Sequence, residues 1–357
     1  MNLNSDNKII GGMFGLPETV EPKVATEPHQ WKFIDDSNLL LANGRSGIMV
    51  LIDRLAPASV WMPSYLCPTM IEAVDQKKTN LRFYEVDYNL HILSTDWVDQ
   101  IQTGDLVALI DYFGLPLSSK VAGLVKGHGG YILEDACQAF LSEHVGQYSD
   151  FVLFSPRKTI GVPDGGILVS CCNVKFDNIK LETAPLVWWL KMLEATINRR
   201  EFDQYGGDRR WYRLFQETDA ATPIGYFAMS DLSRKLLLNG FEYKKICRRR
   251  IENYSILAHN LEDIAMFPIL PEGTIPLGFP IRHPRRDQIR INLFQEQIYP
   301  PVHWLIDGVM PMEFSESYRL AGQVMTLPCD QRYGSEDMHR MVSSVLKTLN
   351  NERGNLQ

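Results

Sequence analysis

The 357-residue sequence contains no stretch able to span a membrane as a helix. A span needs roughly 18 consecutive apolar residues, and the densest run, Ala184-Pro-Leu-Val-Trp-Trp-Leu-Lys-Met-Leu, is broken by Lys191. The opening residues, Met1-Asn-Leu-Asn-Ser-Asp-Asn-Lys, lack a basic segment followed by an apolar one, so no secretory signal is read and a cytoplasmic location is expected. Cysteine is scarce and scattered: of six, only Cys171 and Cys172 are neighbours, and no Cys-x-x-Cys occurs. That gives no support to a zinc site or a thioredoxin-type pair; no metal is expected, and the thiols fit a reducing compartment. Positive charge is in deficit, with 36 Lys and Arg against 43 Asp and Glu and a net charge of −7. The deficit argues against nucleic acid or an anionic membrane as partner, but leaves room for a phosphorylated ligand in a local site. Neither a Gly-x-Gly-x-x-Gly after the first strand nor a Walker sequence is present, so a plain nucleotide-binding α/β protein lacks support. Repeats and low-complexity segments are also missing.

What remains is an ordinary globular composition, 45% hydrophobic and 22% charged, in a chain that suits one or two domains at roughly 150 residues each. Residues 1–32 mix Gly, Pro and charge without a period and read as an N-terminal arm. Beyond them, Val60-Trp-Met, Leu81-Arg-Phe-Tyr-Glu-Val, Leu106-Val-Ala-Leu-Ile, Tyr131-Ile-Leu, Phe151-Val-Leu-Phe and Ile167-Leu-Val-Ser read as strands. Several are apolar throughout, which fits strands covered on both faces and therefore a mostly parallel sheet between helices, an α/β class. The 12 residues between Phe154 and Ile167 are too few for a crossover helix, so that step predicts an antiparallel strand in a mixed sheet. Arg199 to Trp211 reads as an exposed, arginine-rich loop, and Ser230-Asp-Leu-Ser opens a helical stretch predicted to run to about Leu261. The division expected is a large α/β domain over 33–240 and a smaller C-terminal α/β domain over 241–357.

Three features fall where open α/β sheets place ligands, at the C-terminal ends of strands. Tyr131-Ile-Leu-Glu-Asp-Ala-Cys-Gln puts Asp135 at a strand end with Gln138 just beyond. Phe154-Ser-Pro-Arg-Lys-Thr-Ile-Gly-Val-Pro-Asp-Gly-Gly puts Lys158 in a loop between two apolar strands. Asn43-Gly-Arg-Ser-Gly is a short turn leading into an apolar helix-like run, whose first N–H groups can hold a phosphate. A strand-end carboxylate, a loop lysine and a phosphate cradle are the parts that pyridoxal phosphate requires: the lysine bonds to its aldehyde, and the carboxylate keeps its ring nitrogen protonated. Each feature alone is more often a cap, a surface charge or a plain turn.

Their order and wording say more. Glu134-Asp-Ala-Cys-Gln-Ala, followed by Arg157-Lys-Thr-Ile-Gly-Val-Pro-Asp-Gly-Gly, resembles the DegT/DnrJ/StrS aminotransferases, fold-type I pyridoxal-phosphate enzymes acting mostly on keto nucleotide sugars. The resemblance extends over nearly the whole chain, through Gly44-Arg-Ser-Gly, Met62-Pro-Ser-Tyr-Leu-Cys-Pro, Asp111-Tyr-Phe-Gly, Met229-Ser-Asp-Leu-Ser and Tyr299-Pro-Pro-Val-His-Trp. It implies Lys158 as the Schiff-base lysine, Asp135 as partner of the pyridinium nitrogen and Gln138 near the cofactor's phenolic oxygen. Arg45, Ser46 and Gly47 would then form the phosphate turn, and His303 would line the substrate pocket. It also implies a homodimer acting on small molecules, an amino donor such as glutamate and a keto nucleotide sugar, in surface polysaccharide or secondary-metabolite biosynthesis.

The chain departs from the family where cofactor contacts are expected. The usual phosphate-binding serine falls on Leu153, leaving Ser155 or Arg157 to replace it. The usual stacking aromatic falls on Cys67, which makes Tyr65 the alternative. The asparagine contributed by the neighbouring subunit falls near Tyr226. Two other readings follow: a different pyridoxal-phosphate reaction on a sugar or amino substrate, or a non-catalytic protein on the same scaffold. Lys158 argues against a dehydrase, whose relatives carry histidine there. Retention of both Asp135 and Lys158 argues against a scaffold, because idle buried charges are costly.

Overall fold

In the computed structural model, which describes residues 8–17 and 38–350, the six runs become neighbouring strands of one sheet, the run from Leu81 at its edge. Among the described residues the strands are β1 (Ile10–Gly11), β2 (Leu39–Leu41), β3 (Ser59–Pro63), β4 (Asn80–Tyr84), β5 (Leu106–Ile110), β6 (Tyr131–Asp135), β7 (Phe151–Phe154), β8 (Gly166–Ser170), β9 (Glu182–Thr183), β10 (Phe227–Ala228), β11 (Phe279–Arg282), β12 (Ile298–Tyr299) and β13 (Val324–Leu327). The helices are α1 (Gly44–Leu55), α2 (Thr69–Lys77), α3 (Ser119–Gly127), α4 (Leu186–Tyr205), α5 (Arg210–Ala220), α6 (Asp231–Asn239), α7 (Tyr243–Asn260), α8 (Arg286–Gln295), α9 (Ser315–Gln323) and α10 (Ser335–Asn350).

Nine strands form the large sheet in the order β4-β3-β5-β6-β7-β8-β2-β10-β9. From β4 to β7 neighbours run parallel, and β8 returns antiparallel to β7, as its short connection requires. Side chains alternate across a strand, and on β7 Phe151 and Leu153 enter one apolar cluster while Val152 and Phe154 enter another. The sheet is therefore buried on both faces, which is why its central strands are apolar throughout. A third cluster joins α7, α8 and α10 to β11 and β13, and includes Ile10 of β1, which pairs with β12. Of the arm expected over 1–32, only residues 8–17 are among those described.

Two expectations change. The helical stretch from Ser230 is two helices: Ser230 accepts from Ser233 N–H at 3.2 Å and opens α6, which stops before Gly240, and α7 restarts at Tyr243. The arginine-rich loop is largely helical. Arg199 and Arg200 lie on α4, and Arg199 is buried, donating to Asp203 at 2.8 Å and to the Gly11 carbonyl at 2.8 Å, with its guanidinium 4.5 Å from the Trp211 ring centroid. Partners distant in sequence thus turn a charged stretch inward. No helix among the described residues is long and apolar enough to cross a membrane.

Candidate active site

Asn43 fixes the start of α1. Its side chain accepts the Ser46 N–H at 3.1 Å, an N-cap that satisfies one of the helix's free donors. The turn can lie close to β8 because residue 166 is glycine: a Cβ there would stand 2.4 Å from the Asn43 carbonyl. Next to this helix start, β6 ends in Asp135 and β7 in Phe154, followed by a 3-10 turn, Pro156–Lys158. The carbonyl after the lysine, on Thr159, accepts from Arg250 at 3.0 Å and Gln331 at 2.9 Å, both beyond residue 240, so the turn is anchored from outside its own sheet.

These pieces converge on one cleft of about 800 Å³. Asp135, Lys158, Ser155, Arg157, Arg45 and His303 all line it. Asp135 is buried, and its Oδ1 accepts the Cys137 N–H at 3.0 Å. The Lys158 amine makes no hydrogen bond or ion pair among the described residues. Burial alone would lower its pKa, but the neighbouring Cys137, Cys67 and Asp135 outweigh burial and hold it above the usual lysine value. Burial also raises the Cys137 thiol well above its usual range and keeps it neutral. His303 is the reverse case. Burial, with Lys158 nearby, pushes its pKa down to about 3, so the ring is neutral, and Nδ1 meets Thr326 Oγ1 at 2.8 Å.

Four expected contacts lie off the cleft lining. Ser46 is buried; its hydroxyl meets Asn43 at 3.3 Å and accepts the Gly225 N–H at 3.2 Å, and Gly47 backs onto Leu153. The turn reaches the cleft instead through Gly44 and Arg45. Gln138 is held by the Phe113 N–H, which donates to its Oε1 at 2.6 Å. Tyr65 is a core residue, fully buried beside Trp304 with ring centroids 5.5 Å apart, while Cys67 faces the cleft. The residues after β3 therefore present the sulfur and not the phenol. Tyr226 also lies elsewhere, donating to Asp53 at 2.6 Å. Among the lining residues that the sequence did not single out is Asp219, near the end of α5, which binds Arg157 at 2.7 Å. Of the four arginines expected in a loop, only Arg209 lines the cleft, its guanidinium 5.1 Å from the Tyr299 ring centroid.

Behind Asp135 lies a buried acid cluster. Both Asp111 oxygens are enclosed without a well-formed hydrogen bond among the described residues, and Oδ2 is 3.9 Å from His144 Nε2. Burial and the adjacent Glu134 raise the Asp111 pKa well above its usual range; burial raises Glu134 too, against hydrogen bonds from Ser149 and Gly146. Burial lowers the His144 pKa. A carboxyl whose folded pKa is raised gives stability that is full below its unfolded pKa and is lost as pH rises through the folded value. Wild-type stability should therefore fall as pH rises above the ordinary carboxylate range, by up to ~1.4 kcal/mol per pH unit for each proton held. Asp111→Asn should flatten that slope in denaturant titrations run upward from the ordinary carboxylate range. An unchanged slope would place the retained proton elsewhere.

An amine unpartnered among the described residues, a buried carboxylate, a helix start carrying Arg45 and a second arginine, Arg157, on the same cleft suit a ligand that combines a carbonyl carbon, a basic ring nitrogen and a phosphate. Pyridoxal phosphate has all three, and the donor set fits it. A sequence model of the DegT/DnrJ/EryC1/StrS aminotransferase family matches residues 58–346. No curated protein sequence matches the chain. Similar solved structures include the aminotransferase TlmJ from Streptoalloteichus hindustanus, at 16% identity over 93% of each chain with a TM-score of 0.66. The sugar aminotransferase CalS13 from Micromonospora echinospora is 14% identical over 90% of this chain and 92% of that one, with a TM-score of 0.63. PseC of Helicobacter pylori, an aminotransferase involved in the biosynthesis of pseudoaminic acid, is 13% identical over 95% of this chain and all of that one, with a TM-score of 0.65. At these identities the likeness speaks for the fold.

Proposed function

The chain belongs to the DegT/DnrJ/EryC1/StrS aminotransferase family and is a pyridoxal-phosphate-dependent aminotransferase, and from that premise we propose that it moves an amino group from glutamate to a keto nucleotide sugar destined for surface polysaccharide or a secondary metabolite. The observation that carries this reading is the Lys158 amine, free of partners among the described residues in a cleft that it shares with Asp135, Arg45 and Arg157. A sugar acceptor is supported by relatives such as CalS13, described as a sugar aminotransferase, and PseC, involved in pseudoaminic acid biosynthesis.

Asp135, Lys158, Arg45 and Arg157 are the residues to hold the cofactor, the arginines and the N–H groups that open α1 receiving its phosphate. Pyridoxal phosphate, when bound, supplies an aldehyde for amines to bond and a ring that withdraws electrons from the carbon losing its proton. Asp135 keeps a positive charge beside it and so maintains that withdrawal. Lys158 Nζ takes the donor's α-proton and later delivers a proton to the acceptor carbon, a general acid–base role. His303, neutral and fixed by Thr326, orients substrate without adding charge. Arg209 and Arg290, on the same cleft, meet the acceptor's diphosphate.

Purified protein given pyridoxal phosphate should turn yellow, and borohydride should fix the cofactor on Lys158, read as a mass increase on the peptide that contains it. In a separate sample not treated with borohydride, glutamate should yield one equivalent of 2-oxoglutarate and bleach the colour. No oxo acid from any amino donor would rule out transamination.

A further inference from the structure

Arg45, at the start of α1, and Arg157, in the turn after β7, are already partly neutralised by the chain itself. Arg157 Nη2 donates to Asp219 Oδ1 at 2.7 Å, and Arg45 Nη2 lies 3.9 Å from the same oxygen while donating to the Asp219 carbonyl at 3.5 Å. All three residues line the cleft. Burial would raise the Asp219 pKa, but Arg157 and Arg45 outweigh it and hold the carboxyl below its usual range, so the group is an anion wherever the enzyme works. Each arginine also has another neighbour. Arg45 Nη1 is 3.3 Å from Glu72, which is half exposed, and the Arg157 guanidinium lies 5.9 Å from the Phe215 ring centroid. Neither arginine therefore depends on Asp219 alone for its place.

A carboxylate in this position is at odds with a site that must receive a phosphate. The two anions seek the same guanidinium groups, and like charges so close repel. We propose that Asp219 is an internal competitor for the cofactor's phosphate: it occupies Arg45 and Arg157 when the cofactor is away and weakens their hold on it when it is present. The proposal rests on the reading of this cleft as the pyridoxal-phosphate site. It gives Asp219 a role in setting cofactor affinity and none in the chemistry.

The test compares wild type with Asp219→Asn, which keeps the side chain's size and its oxygen toward Arg157 but removes the charge, and with Asp219→Glu, which keeps the charge. Two probes are used: pyridoxal phosphate, followed by absorbance, and inorganic phosphate alone, followed by the rise in melting temperature. Asp219→Asn should bind both about five-fold tighter, the scale of one partly exposed charge, and Asp219→Glu should stay near wild type. Should Asp219→Asn fail to fold, Asp219→Ser reads the same comparison. Equal or weaker phosphate binding in a folded, uncharged variant would overturn the proposal, because Asp219 would then be organising the arginines. If wild type takes phosphate but no pyridoxal phosphate, the cofactor reading fails, and the competitor stands or falls on the phosphate ratio.

Discussion

Lys158→Ala is expected to lose all covalent attachment of cofactor and at least ~10³-fold in turnover, while the fold melts almost as before. Proton transfer by a positioned base contributes roughly 10² to 10⁴-fold by itself, and loss of the amine that bonds to the cofactor adds to that. The fold should tolerate the change because the amine has no hydrogen bond or ion pair among the described residues, and only its aliphatic stem is lost from the cleft wall. The measurements are borohydride trapping with mass analysis, single-turnover kinetics and a thermal melt. Partial recovery by a small added amine would locate the defect at the missing base. If the alanine protein still gained cofactor mass at one site after borohydride, another amine would hold the aldehyde, and the role given to Lys158 would be withdrawn.

Arg250→Ala should have the largest effect on stability. Arg250 is 1% exposed and donates to the carbonyls of Pro276 at 2.9 Å, Leu277 at 3.0 Å and Thr159 at 3.0 Å, and to Gln331 Oε1 at 2.9 Å. Truncation leaves several buried acceptors short of a donor and a void where a long side chain lay, for a cost of about 3–5 kcal/mol. Lysine cannot substitute, because one ammonium does not reproduce a planar fork reaching four acceptors. Thr159 follows the active lysine directly, so the damage should extend to function. Arg250→Lys, if folded, should bind cofactor more weakly because only Gln331 still holds that carbonyl. Urea titration and a cofactor titration read the two effects separately. A wild-type melting temperature in Arg250→Ala would mean that neighbouring groups or water satisfy the orphaned carbonyls.

The fold class was legible because central strands buried on both faces must be apolar throughout, and Leu106-Val-Ala-Leu-Ile leaves little other reading. The antiparallel return of β8 was legible from chain length alone. What escaped the sequence depended on distant partners. Nothing near Arg199 indicates that a carbonyl at Gly11 and the ring of Trp211 will draw it inside. Gly240 did carry a stop signal, but the apolar rhythm continuing through Phe241 masked it. Tyr65 and Cys67 lie two residues apart beyond the end of β3, and which of them meets the cleft is set by the path of the following turn, which no local pattern encodes. Asp219 looks like any acid on a surface helix, and its arginine partners come from α1 and the turn after β7.

The pairing of β1 with β12 also constrains when the protein can be completed. Ile10 opposes Ile298 and Gly11 opposes Tyr299, so this segment waits for a strand made nearly 290 residues after it. At ribosomal rates of about 5–20 residues per second, that wait lasts on the order of tens of seconds. Met13 and Phe14, whose backbone and ring Arg332 engages in the lining of the cleft, cannot settle until then. A nascent chain therefore carries its lysine and aspartate in an unfinished vessel, sealed only once the residues around β12 have been made.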